Sequence, residues 1–246
     1  MPLTPARVLK AFRYGVFFDG VDDRAEAPDS PSIRLTSNMS FSIWFNILSV
    51  EHTRDDFMLI KGFHPTRQYE LKVWWVQRMF VVGADGSQYI YTPYDSLKRF
   101  VGKWVNACYN RNNNEGWSQF RLNFDEWVWN NVFAPGTTEP SSTQPFLLAR
   151  YVNTLISRVL VYNHTLTNDE IKWNYENPDD PVADGLVLSF YAHPDNIYDI
   201  DDDGRLEWID LSGHGNHAKL YGARLVELVK EPVRVLSPAR VLSPAR

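Results

Sequence analysis

The chain has 246 residues, 44% of them hydrophobic and 14% aromatic, enough for one large β domain or two small ones. Its formal net charge of -5 is spread along the chain, which argues against a nucleic-acid surface built on phosphate neutralisation. A single cysteine, Cys108, excludes an intramolecular disulfide framework and is expected to be a buried, inert thiol; no stretch has membrane-spanning length, and the N-terminus shows no signal-peptide pattern.

Near the N-terminus, Pro5-Ala6-Arg7-Val8-Leu9 echoes a repeat at the other end of the chain. Over 40–47, Phe41, Ile43, Phe45 and Ile47 alternate with smaller residues, the two-residue period of a half-buried strand. Further strands are expected at 69–76, 79–82, 88–91, 104–109, 119–124 and 155–162, and such regular short strands imply an antiparallel sandwich or barrel. Hairpin turns are expected at 83–87 and 112–116, where Gly and Asn tolerate positive φ, and 134–145, rich in Pro, Thr and Ser, reads as a surface loop.

One helix starts after Leu166. Thr167 and Glu170 have capping-box spacing, Ile171 and Tyr175 share a side, and Pro178 ends it. The segment 177–184 is a compositional break that could link modules, and 185–191 is again strand-like. Beyond it, Asp199, Asp201 and Asp203, Gly204, the Arg205 carbonyl, Glu207 and Asp210 follow the twelve-residue calcium-loop template, because a hard cation takes six to eight oxygen ligands on a sharp turn. A solvated acidic turn is the competing reading, since no flanking helices are evident. His214 and His217 read better as loop caps than as metal ligands, two histidines alone not making a zinc site.

The C-terminus carries a six-residue repeat in Pro232-Val233-Arg234-Val235-Leu236-Ser237, Pro238-Ala239-Arg240-Val241-Leu242-Ser243 and Pro244-Ala245-Arg246. Its even period suits an extended arm, and recurrent Pro forbids a helix or a central strand. Pro5, Arg7, Val8, Leu9, Arg234, Val235, Leu236, Arg240, Val241, Leu242 and Arg246 are the candidate assembly contacts, the arginines pairing with acidic patches on a neighbour.

Trp74, Trp127 and Trp129 lie in strand-like stretches and are candidate sugar-stacking residues; the plainer reading is that such residues fill the core or an interface. A retaining glycosidase needs two carboxyls about 5 Å apart. Asp125 and Glu126 are adjacent and point to opposite faces, and no phosphate loop or nucleophile elbow appears. No enzymatic activity is expected.

Phe18-Asp19-Gly20-Val21-Asp22-Asp23, the Ser-Phe-Ser-Ile-Trp strand at 40–44, the strand and helix across 157–171, and Asp210-Leu211-Ser212-Gly213 together resemble laminin-G-like modules of the concanavalin A-like superfamily. The resemblance implies an all-β, antiparallel jelly-roll sandwich with one short helix, here over 15–228 with extended arms at 1–14 and 229–246. The Gly-Leu-Val strand and Asp-Leu-Ser-Gly loop normally precede the Phe-Asp-Gly segment, whereas here they follow the helix. Either 185–228 completes its own sandwich as a permutant, or it completes a neighbour's. The expected function is a calcium-stabilised structural subunit of a virion, filament or surface assembly, homo-oligomeric through its arms, on a virion or extracellular surface. A carbohydrate-binding or adhesion module with a glycan partner is the alternative, and a glycoside hydrolase or lyase the third reading.

Overall fold

The computed structural model describes residues 12–49, 56–62, 67–74, 77–83, 89–124 and 127–228. Both terminal repeats, and so every proposed arm contact from Pro5 to Leu9 and from Arg234 to Arg246, lie outside the described residues.

Two antiparallel sheets face each other. The first contains β1 (Tyr14–Asp19), β3 (Met39–Ile47), β8 (Trp104–Asn112), β9 (Trp117–Leu122), β10 (Trp127–Val132), β12 (Asn153–Tyr162), β13 (Leu186–Tyr191) and β17 (Arg224–Glu227). Its order is β10-β9-β8-β3-β12-β1-β17, with β13 also beside β12. The second contains β2 (Arg24–Ala27), β4 (Asp56–Lys61), β5 (Tyr69–Trp74), β6 (Met79–Gly83), β7 (Ile90–Tyr91), β11 (Phe146–Arg150), β14 (Ile197–Tyr198), β15 (Glu207–Trp208) and β16 (Ala218–Tyr221). It runs β14-β15-β16-β2-β11-β4-β5-β6-β7. The fold is an all-β jelly-roll-like sandwich.

Alternation along each strand sends one set of side chains between the sheets. Phe41, Ile43, Phe45 and Ile47 of β3 join Val105, Tyr109 and Phe120 against Leu59, Leu71, Phe80, Phe146 and Leu148. The expected half-buried character of β3 is corrected: all but one of its nine residues are buried. The helix α1 (Asn168–Glu176) is the reason, because Tyr175 stacks on Trp44 with ring centroids 5.2 Å apart, and Phe12 closes the same cluster. The Thr167–Glu170 capping box is present, and Ile171 packs with Cys108, Leu160 and Leu166. Since Phe12 is fully buried and the Leu228 N–H bonds to the Arg13 carbonyl at 2.7 Å, the packed sandwich includes residues placed by sequence in the N-terminal arm.

The segment after α1 pairs back onto both sheets. β13 pairs with β12, β16 with β2, and β17 with β1. Gly185, at φ 64°, begins this return where a Cβ would collide with the His164 ring.

Candidate functional site

The acidic loop lies between β14 and β15. One carboxylate oxygen each from Asp199, Asp201 and Asp203 falls in a group no wider than 4.8 Å. Asp199 Oδ2 accepts the Gly204 N–H at 2.8 Å and Asp203 Oδ1 accepts the Arg205 N–H at 2.9 Å, which folds the turn around the acids. Lys219 of β16 enters from the neighbouring strand, donating from Nζ to Asp201 at 2.8 Å and Asp203 at 2.7 Å; Glu207 lies 3.8 Å from the same nitrogen. Asp201, then Asp203, raises the Lys219 pKa by hydrogen bonding, and Lys219 lowers that of Asp203. The buried Asp199 Oδ1 has no hydrogen-bond partner. Three carboxylates and an orphaned oxygen suit a hard cation, although an ammonium already holds two of them.

Asp210 does not join this group. Its buried carboxylate accepts the N–H groups of Ser189 at 2.9 Å, Ser212 at 3.0 Å and Asn216 at 2.9 Å, and the Ser212 hydroxyl at 2.8 Å. The Asn216 amide donates to the Val187 carbonyl at 2.8 Å, so the loop caps the outer edge of β13. His217 Nδ1 accepts the Asp210 N–H at 3.0 Å, the loop-capping role, and His214 is exposed.

A second acidic group is formed by Asp19, Asp22 and Asp23 at the end of β1. Asp23 Oδ2 accepts the Asp19 N–H at 2.8 Å, and burial raises its pKa. Gly222, at φ 70°, lets the β16–β17 turn press against Asp23 where a Cβ would overlap its Oδ1.

The tryptophans separate. Trp129 packs against the core and stacks on Phe120 at 5.9 Å, and Trp127 opens β10 opposite Leu122. Trp74 instead lies on the outer face of the second sheet, half-buried, with its ring 6.3 Å from that of Tyr91 and 5.5 Å from Lys72 Nζ. Tyr91 is 50% exposed.

The same face carries residues that sequence reading missed. Tyr221 stands opposite Arg24 on paired strands, and Arg150, Phe57, Lys72, Val81 and Tyr91 stand successively opposite one another across β11, β4, β5, β6 and β7. The Arg24 guanidinium lies 4.0 Å from the Tyr221 ring centre and that of Arg150 5.0 Å from Tyr151. A cleft of about 320 Å³ between them is lined by Asp22, Arg24, Glu26, Leu147, Arg150 and Tyr151. Ala149 and Tyr151, at φ 53° and 67°, are left-handed on either side of Arg150, and β4 shifts register against β5 between Phe57 and Leu59. Such irregularities re-aim side chains next to sites. Alternations such as Arg24-Ala25-Glu26 and Lys72-Val73-Trp74 hint at an outward face, but the transverse row depends on pairing between distant segments.

By fold, the chain is an all-β, two-sheet antiparallel sandwich, and solved structures of that fold superpose on it. A candidate carbohydrate-binding protein from Bacteroides ovatus superposes with a TM-score of 0.65 at 12% identity, covering 91% of this chain and 61% of that one. The Trypanosoma rangeli sialidase in complex with sialic acid gives a TM-score of 0.50 at 13% identity over 67% of this chain and 28% of its own. Domains LG4–5 of the mouse laminin α1 chain give 0.46 at 9% identity, covering 63% of this chain and 44% of theirs. The chain thus spans less than two thirds of each of these proteins. No protein-family model and no curated protein matches the sequence.

Proposed function

We propose that the chain is a non-catalytic carbohydrate-binding module acting at an extracellular or particle surface, with a glycan laid against the outer face of the second sheet. The observation carrying this reading is the pairing of half-buried Trp74 and exposed Tyr91 beside Lys72 on that face. Aromatic faces with a few polar groups at their edges suit the apolar faces and hydroxyls of pyranose rings. The carbohydrate-binding description of the Bacteroides ovatus neighbour supports the same reading. Catalysis is disfavoured at Asp23, whose raised pKa would suit a general acid, because the Asp19 N–H and Gly222 wall in its carboxyl. Retention of the 246-residue chain in gels containing single polysaccharides tests the proposal. Trp74→Ala and Tyr91→Ala should each abolish retention, and no retention by any polysaccharide would overturn it.

We further propose that Asp199, Asp201 and Asp203 hold a calcium ion that displaces Lys219 Nζ and orders the β14–β15 turn. The three clustered carboxylates and the unpaired Asp199 Oδ1 support this. Calorimetric titration of calcium into the full chain should show one site, lost in Asp201→Asn; absence of heat would reject the site.

A further inference from the structure

We propose that the transverse row on the outer face of the second sheet selects a carboxylated polysaccharide, a polyuronate with one carboxylate per sugar, running across the strands. This inference rests on the carbohydrate-binding reading and adds the charge of the ligand and its direction.

The row carries three cations on three strands: Arg24 on β2, Arg150 on β11 and Lys72 on β5. Each lies near an aromatic ring, Arg24 with Tyr221 at 4.0 Å, Arg150 with Tyr151 at 5.0 Å, and Lys72 with Trp74 at 5.5 Å and Phe57 at 6.0 Å. Neighbouring strands sit about 4.8 Å apart; the strands that carry Arg24 and Arg150 are neighbours, and those that carry Arg150 and Lys72 lie two spacings apart. A flexible neutral chain needs no such series of charges. A polymer with regularly repeated anions matches it, taking a carboxylate at each cation and resting its ring faces on the intervening aromatics.

The acids on this face set the anion density. Glu26 accepts from Arg24 Nε at 3.2 Å, and Glu70, 1% exposed, is 3.6 Å from Arg67. Asp22 is exposed at the cleft, where with Glu26 it can accept sugar hydroxyls and repels a second anionic group on the same sugar. Guanidinium forks fit carboxylates in two-point contact. One carboxylate per sugar is favoured over dense sulfation.

The test uses the 246-residue chain with polygalacturonate, dextran sulfate, and a neutral panel of dextran, xylan and cello-oligosaccharides. Titration calorimetry at two salt concentrations supplies Kd. Polygalacturonate should bind at least tenfold more tightly than dextran sulfate and the neutral glycans, and more weakly at high salt. Arg24→Gln and Arg150→Gln should each weaken it about tenfold, equivalent to about 1.4 kcal/mol. Lys72→Gln, on a separate strand from the other two, should do the same, and unchanged near-ultraviolet circular dichroism would establish that each variant is folded. Equal affinity for neutral glycans, or indifference to all three variants, overturns the inference while leaving the carbohydrate-binding reading standing. Preference for dextran sulfate overturns the carboxylate assignment, and no binding to any glycan overturns both.

Discussion

Replacing Asp210 by alanine separates a structural carboxylate from a metal ligand. The substitution removes the acceptor for three backbone N–H groups and one hydroxyl. The Ser212 donors are only partly buried and can turn to water, whereas the bonds from the Ser189 and Asn216 N–H groups are buried. Leaving a buried donor without a partner costs about 1–3 kcal/mol, so the pair sets a range of about 2–6 kcal/mol. Local relaxation lets some water reach the loop, and we expect about 3 kcal/mol. For a chain of this size that corresponds to a fall in Tm of about 6–12 °C. The β13 edge would open with it, because Asp210 and the Leu211 N–H hold both backbone groups of Ser189. Thermal melts followed by near-ultraviolet circular dichroism, in calcium and in chelator, should show the same loss in both. A fall below about 2 °C, or one seen only in calcium, would refute the structural assignment.

Acid should act through Asp29, whose pKa the Arg34 hydrogen bond lowers to about 2, with Lys61 reinforcing it. A lowered folded-state pKa means that the unfolded chain binds the proton first, so this stabilisation is complete above about pH 4 and is lost as pH falls through about 2. Asp29→Asn should flatten the stability profile across that window in acid titrations of chemical denaturation. Burial pushes the Cys108 thiol up to about 12, so maleimide should label native protein far more slowly than protein unfolded in guanidinium. Lys219→Met should tighten calcium binding severalfold in calorimetry, since the ammonium competes for Asp201 and Asp203; weaker binding would mean that Lys219 organises the site rather than blocking it. Thr167→Ala should cost about 1 kcal/mol in denaturant titrations through loss of the helix cap.

Local signals were the legible part of the fold. The alternation of Phe41, Ile43, Phe45 and Ile47 marks a sandwich strand facing the core, and Thr167 with Glu170 marks a helix start, because both depend on neighbours a few residues away. That Trp44 is also covered was not legible, since its cover comes from Tyr175 and Phe12. β4 carries no clean alternation because its register shifts between Phe57 and Leu59, and β11 reads as an apolar run because Phe146 and Leu148 face the core while Leu147 is also buried. The acidic loop shows the limit most plainly. Spacing places Asp210 at the end of a calcium template, but the backbone carries it to the β13 edge, where its oxygens are taken by N–H groups. The transverse row was invisible for the same reason: Tyr221 meets Arg24 only through pairing of strands nearly two hundred positions apart.

On the reading proposed above, the row on the second sheet also serves as a ruler. Its marks are side chains, but the distance between marks is fixed by interstrand hydrogen bonds, which scarcely stretch. Loop insertions between the strands could lengthen the chain greatly without moving Arg24 relative to Arg150. Exchanging the residues on the marks would change what is measured, and only a change in strand order or bulge position would change the pitch.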